Sequence, residues 1–293
     1  MFRNAFLLLL LAAAGCAHCD TDSDFLFDFS LAKEYYRNGK FGEAMKKFED
    51  AIERCPDNYD AIVGLANSDR EWGMAKFAEA EGLFRVKKVD FARREFRKAA
   101  SIHKVSEQLF LKAIQMRPDD VLAYLGLGVF HYKRATSPYE YPFRLDDQEN
   151  RRRERDLAIR FLGKVVEKEP KVYFAQRDLG LALFAAGNSS EGRLHLGFFL
   201  GGMEAGRAHI LRVAPRRTVD QREEMAKRIR EIDKHLNQVR HVLYTYVVNL
   251  ENTREEWSRR GKKEGVAALT QEILAVQNLL GKYGQAQEPS KNP

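Results

Sequence analysis

The sequence predicts an all-α chain, a stack of antiparallel helix pairs followed by two heptad-patterned helices, and three observations carry that expectation. Its 293 residues hold only 8 prolines and 20 glycines, which leaves long stretches free to be helical. Four segments repeat one arrangement of small, aromatic and proline residues. After Pro215 an apolar period alternating four and three residues takes over. With 44% apolar and 31% charged residues the chain is globular. Three cysteines, Cys16, Cys19 and Cys55, are too few for a disulfide-built scaffold or a four-cysteine zinc site. The net charge of +7 requires no nucleic-acid partner.

The chain opens on Met1-Phe2-Arg3-Asn4 and runs apolar from Ala5 to Ala14. That run falls short of the ~20 apolar residues that span a bilayer. A basic start, a short apolar run and a small-residue cleavage zone form a secretory signal. Ala13-Ala14-Gly15-Cys16 resembles the bacterial lipobox, with Ala13 where lipoproteins prefer leucine. The resemblance implies a signal peptide over residues 1–15, lipid on Cys16 and a flexible tether over 16–24; ordinary secretion and an uncleaved anchor are the other readings. Ala17 stands where an inner-membrane retention aspartate would be, which implies the outer membrane, facing the periplasm. Cys16, His18, Cys19 and Asp20 lie close in sequence, but acylation removes one ligand and no metal is expected.

Residues 25–58 carry Leu31-Ala32, Tyr35, Gly39, Ala44, Phe48, Ala51 and Pro56. The frame recurs from Tyr59, with Leu65-Ala66, Gly73, Ser106, Phe110, Ala113 and Pro118. It recurs again from Val121, with Leu127-Gly128, Ala158, Leu162, Val165 and Pro170, and from Tyr173, with Leu179-Gly180, Gly187, Gly192, Leu196 and Phe199. This pattern resembles the tetratricopeptide repeat, and the resemblance covers residues 25–206. Small residues are needed where two helices cross closely, and larger ones fill the space beside them. One pair cannot bury its apolar face alone, so pairs stack into a superhelix. Two insertions interrupt the frame, near 74–104 and 136–156. The first reads as helical, with nine basic and four acidic side chains, and Ala92, Phe96 and Ala99 copy the spacing of a second helix, as a degenerate extra hairpin would. The second opens Ser137-Pro138-Tyr139-Glu140-Tyr141-Pro142, an extended loop, read equally as a partner contact or as solvated packing.

Past the repeats, Met225, Ile229, Ile232, Leu236, Val239, Leu243, Tyr246 and Leu250 keep one apolar seam. Gly261 to Gly265 breaks it, and Val266, Leu269, Ile273, Val276, Leu280 and Tyr283 begin a second. Residues 218–283 are thus expected to form a helical hairpin, an intermolecular coiled coil or a cap on the last repeat. The tail, 284–293, is expected to be disordered.

No G-x-x-x-x-G-K-[ST], H-E-x-x-H or G-x-S-x-G motif occurs. His235 and His241, six residues apart on a helix, face different directions, and the other histidines are dispersed. No enzyme, catalytic residue, cofactor or metal is expected. The resemblance instead implies binding in a concave groove lined by positions 2, 5, 9, 12 and 13 of each repeat. On this chain those positions include Phe29, Lys33, Tyr36 and Arg37, then Asn67 and Arg70, then Val129, Tyr132 and Lys133, then Phe174, Arg177, Leu181 and Phe184. Rings interleaved with cations suit a peptide with acidic groups. The family's clamp for a terminal carboxylate is absent, because its positions hold Phe29, Lys33, Gly64, Leu122 and Gly126. The expected function is a lipid-anchored adaptor that binds a periplasmic protein or peptide in envelope assembly or transport. The alternatives are a homo-oligomer built through the C-terminal seams and a basic surface contacting anionic lipid.

Overall fold

A computed structural model describes residues 22–136 and 148–284. The signal, Cys16, the tether up to residue 21, the Pro138–Pro142 loop and the tail from residue 285 lie outside the described residues. Asp22, Ser23 and Asp24, expected in the flexible tether, are instead the cap and first turn of α1, and Gly284, expected in the tail, ends α10. Ten α-helices and no strand occupy the described residues: α1 (Ser23–Arg37), α2 (Phe41–Arg54), α3 (Tyr59–Arg85), α4 (Val89–Met116), α5 (Val121–Thr136), α6 (Gln148–Lys168), α7 (Tyr173–Ala185), α8 (Ser189–Val213), α9 (Val219–Arg259) and α10 (Lys263–Gly284). They form two compact units, one ending at Lys168 and the other beginning at Glu169.

Helix ends follow local chemistry. Asp22 caps α1 by accepting from the amides of Asp24 and Phe25, Asn58 caps α3, and Thr218 with Gln221 forms a capping box at the start of α9. Four helices, α1, α3, α7 and α9, end in the same turn, in which the residue after the cap adopts positive φ. Its amide and the next one donate back to carbonyls of the last helical turn. Gly39, Gly187 and Gly261 fill that position in three of them; the fourth holds Lys87, at φ 61°.

The first unit is three stacked helix pairs, and the small residues of the repeat lie at their crossings. Ala32 and Ala44, Ala66 and Ser106, and Ala158 are fully buried. The Ser106 hydroxyl donates to the Ala66 carbonyl at 2.8 Å, joining α4 to α3. At Gly128 an added Cβ would stand 2.7 Å from Leu162 Cγ and 3.1 Å from its backbone nitrogen. One apolar cluster, including Phe48, Ala61 and Leu65, joins the first pair to the second. Another, including Ile62, Phe110, Leu127 and Phe130, joins the second pair to the third.

The first insertion is not a separate hairpin. It lengthens both arms of the second pair, so that α3 has 27 residues and α4 has 28, against 15 and 14 in the first pair. Gly73 stands where Gly39 and Gly187 stand in the first and fourth repeats, at the turn, yet it lies inside α3, where the His103 ring comes within 2.3 Å of the place its Cβ would take. The extension has a small core of its own, Phe77, Ala80, Ala92, Phe96 and Ala99. Of the second insertion, residues 148–156 are the first turns of α6.

The second unit corrects the expected boundary at residue 206. The fourth pair, α7 and α8, shares one core with the C-terminal helices: Leu196, Phe199 and Leu200 pack with Leu236, Val239, Leu243, Val247, Ile273 and Val276. Helix α8 continues to Val213, and its glycines admit α10; Leu279 lies 3.3 Å from a Cβ built on Gly197 and the Tyr283 hydroxyl 3.2 Å from one on Gly201. At the α7–α8 crossing, a Cβ on Gly180 would meet the Gly192 carbonyl oxygen at 3.0 Å, and one on Gly192 the Gly180 oxygen at 2.9 Å.

Gly128→Leu is therefore expected to destabilise the first unit by roughly 1–3 kcal/mol or more through overpacking against Leu162. Thermal melting beside Gly163→Leu, at a glycine with open space around its Cβ position, checks the assignment; equal melting of the two would contradict it.

Candidate partner-binding groove

The first helix of each pair in the first unit turns one face toward a shared groove. Between α1, α3 and the start of α5 lies a groove of about 550 Å³, lined by Phe29, Lys33, Tyr36, Arg37, Phe48, Asp60, Val63, Gly64, Asn67 and Leu122. Five residues chosen from the repeat frame, Phe29, Lys33, Tyr36, Arg37 and Asn67, thus come together. Its aromatic floor is built by packing: Phe29 stacks on Phe25 at 5.5 Å and meets the edge of Phe48 at 6.0 Å. Phe48 reaches the groove because Gly64 has no side chain; a Cβ there would lie 2.4 Å from the Phe48 ring. The Lys33 ammonium stands 5.0 Å over Phe29. Among the described residues neither Lys33 nor Arg37 has a carboxylate partner, and both are exposed. Asn67 spends its amide on the Val63 carbonyl, at 2.9 Å.

The other predicted residues of this unit are engaged differently. Arg70 is buried and gives two hydrogen bonds to Glu71, at 3.0 and 2.8 Å, and one to the Gly126 carbonyl at 3.3 Å. Lys133 reaches the same Glu71 carboxylate at 3.2 and 3.3 Å. Burial pulls Glu71 upward, but Arg70 and then Lys133 hold its carboxyl below the usual range. Burial raises the Tyr36 phenol, against the opposing pull of the Arg70 guanidinium. Arg70, Glu71 and Lys133 thus form a polar chain joining α3 to α5, and both cations already have an anion. Val129 and Tyr132 are half-buried on α5 and do not line the groove.

In the second unit the residues expected in a groove meet α9 instead. Phe184 packs edge-on against Tyr246 at 4.9 Å, and Leu181 packs on the shared core. Arg177 lies 3.1 Å from His235 Nδ1, and Phe174 meets the His235 ring at 5.0 Å. A C-terminal helix fills this face. Burial and then Arg177 lower the His235 pKa, so its neutral ring accepts from the guanidinium.

Sequence reasoning passed over Asp60, Val63, Glu71 and Leu122. They occupy positions 2, 5 and 13 of the second repeat and position 2 of the third, so the frame itself pointed to them; selecting rings, cations and amides left them out. Two titratable groups behind the groove also had no sequence signal. Asp69 is 3% exposed and its Oδ2 has no hydrogen-bond partner; burial first and Glu49 second push its carboxyl up to about 7. His103, tilted against Phe77 at 5.0 Å and edge-on to Phe130 at 5.3 Å, is pulled down to about 4, chiefly by burial and then by Arg134.

No family model matches the chain, and no curated protein matches it. Solved structures do. A crystal structure of MamA is 15% identical, covering 66% of this chain and 87% of that one, at a TM-score of 0.41. A MamA double mutant is 12% identical over 74% of this chain and 98% of its own, also at 0.41. The human IFIT1 dimer with m7Gppp-AAAA is 18% identical over 90% of this chain and 66% of its own, at 0.35. Such scores carry no inference about what this chain binds.

Asp69 generates a pH prediction. Its folded pKa, about 7, lies above the ordinary 3.8, so between those values the folded state keeps a proton that the unfolded chain has released. Its contribution to stability is complete below about 4 and is lost as pH rises through about 7. Asp69→Asn keeps the shape without the ionisation. The variant is expected to melt above the parent at alkaline pH, with the gain shrinking toward zero at about pH 4. His103 slopes the other way, its contribution being lost as pH falls from 6.5 through about 4, so the difference between variant and parent is the quantity to measure. A pH-independent difference would show that Asp69 is ionised when folded.

Proposed function

We propose that the protein is a lipid-anchored adaptor that holds a periplasmic protein partner by an extended or helical segment laid in the groove of the first unit. The observation that carries this reading is the meeting of Phe29, Tyr36, Val63 and Leu122 with the cations Lys33 and Arg37 in one groove. An apolar side chain of the partner would take the floor over Phe29 and Phe48, and an acidic one would face Lys33 or Arg37. Arg70 and Lys133 act within the chain instead, since an incoming carboxylate would have to displace Glu71. The anchor rests on the lipobox-like Ala13-Ala14-Gly15-Cys16. No helix of the described residues is long and apolar enough to cross a membrane. The reading assigns the groove no reaction.

The homo-oligomer through the C-terminal seams has less to stand on. Leu236, Val239, Leu243, Ile273 and Val276 are buried inside the chain, so the seam that would pair between copies is occupied.

A photo-crosslinking residue at Arg37 or Asn67 is expected to trap one protein in the cell envelope, while one at Glu53, exposed on α2, is not. Lys33→Glu with Arg37→Glu is expected to weaken that capture by at least about tenfold with an unchanged melting temperature. Equal trapping at Glu53, or no effect of charge reversal, would overturn the groove. Intact-mass analysis of the protein from membranes tests the anchor: residues 1–15 absent and acyl chains on Cys16.

A further inference from the structure

We propose that the turn joining α3 to α4 is a membrane-contacting tip, which buries Val86, Val89 and Phe91 in the interface of an anionic bilayer while Lys87 and Lys88 meet the headgroups. This does not rest on the groove or on acylation of Cys16.

Three observations converge on the turn. Apolar side chains stand in water there: Val86 is 63% and Phe91 57% exposed, with Val89 exposed beside them. They sit in a strongly basic stretch, since residues 83–98 carry seven Lys and Arg against Asp90 and Glu95. Among the described residues Lys87 and Lys88 have no ion-pair partner. Lys87 also holds the left-handed conformation that glycine holds in the three matching turns, at φ 61° against 71°, 87° and 70° for Gly39, Gly187 and Gly261. A side chain with a Cβ is strained in that conformation. The turn calls for that conformation but not for a side chain at it, because the same backbone hydrogen bonds close the three glycine turns. A strained residue that the fold does not need points to use.

The combination fits a bilayer better than an acidic protein. Protein interfaces are poor in lysine at their cores, and a convex turn only two helices wide offers a partner no groove. A bilayer interface needs no complementary shape. It accepts small apolar side chains at the acyl boundary, and lysines beside them extend their ammonium groups to anionic headgroups. The extension's own core of Phe77, Ala80, Ala92, Phe96 and Ala99 keeps the two arms together behind the tip, and Val86 and Phe91 lie outside that core, with the Arg94 guanidinium 5.5 Å from the Phe91 ring.

The test uses the chain from Cys16 onward carrying Cys16→Ser, which keeps every described residue and removes any acyl chain. It is sedimented with vesicles of phosphatidylcholine alone and of phosphatidylcholine mixed equally with phosphatidylglycerol. Binding to the mixed vesicles is expected, at least about tenfold tighter than to the neutral ones. Val86→Ser with Phe91→Ser is expected to lower that affinity by about tenfold or more, at an unchanged melting temperature because both positions are exposed. Lys87→Gly should raise the melting temperature and weaken vesicle binding together, separating use from stability. No binding, equal binding to the two vesicle types, full binding by the serine variant, or undiminished binding by Lys87→Gly would each overturn the proposal.

Discussion

The closeness with which two helices of a pair can cross governs everything else in this protein. Where Gly180 and Gly192 face each other, the backbone oxygens stand only 2.9 and 3.0 Å from the place the other residue's Cβ would take. No large side chain fits between such helices, so position 8 and position 20 of each repeat hold only glycine, alanine or serine. Once the backbones are that close, Leu162 and Leu196 are pushed into contact with the opposite helix, and the apolar face of the pair turns outward to the next one. Stacking follows, because an exposed face of that size cannot stay in water at roughly 25 cal/mol per Å². The groove is a product of this stacking. Tyr36, Asn67 and Lys133 lie on different helices that are brought into line only by the crossings behind them.

Polar contacts then decide which part of that aligned surface remains available. Glu71 takes both Arg70 and Lys133, and Arg70 also reaches the Gly126 carbonyl. Two partly buried cations on one carboxylate satisfy the desolvation that either would face alone. The result fastens α3 to α5 and removes charge from the deeper end of the inner face. At the α1 end Lys33 and Arg37 project over an aromatic floor in a groove that Asp60 also lines, but among the described residues neither is in ion-pair contact with a carboxylate. Positive charge without an ion-pair partner among the described residues therefore sits at one end of the surface, not along all of it.

Periodicity was legible because it is imposed by a local geometric constraint that repeats. Ala32, Ala66, Gly128 and Gly180 recur at one position of the frame, and the helices appear where that frame places them. Length was less legible. Gly73 looks like a turn because glycine ends helices, yet here it clears space for the His103 ring, a tertiary requirement with no local signature. The same holds for Gly197 and Gly201, which admit α10 on a helix that runs past its expected end. The groove was half legible: the frame located its positions, but selecting rings and cations passed over Val63 and Leu122, which make its aliphatic wall, and Glu71, which silences two of the chosen cations. In the fourth pair the frame set Phe174, Arg177 and Phe184 on one face, and that face meets α9. It could not say that Tyr246 and His235, on a helix outside the repeats, would be there to meet them.

The extended second pair shows what such a scaffold permits. Length is added to α3 and α4 in nearly equal amounts, beyond the Ala66–Ser106 crossing and on the side away from the stacked core. The crossing and both neighbouring interfaces are undisturbed, while the turn is carried about 20 Å farther out, at 1.5 Å per residue along each arm. A change confined to that turn then bears on the strain at one residue and on what the turn touches, not on the packing of the pairs. Lys87 can hold a conformation better suited to glycine because its cost falls on a turn whose hydrogen bonds are intact and whose side chains pack on little else. A repeat array concentrates stability at its crossings, and that concentration is what leaves its outermost turns open to residues chosen for something other than stability.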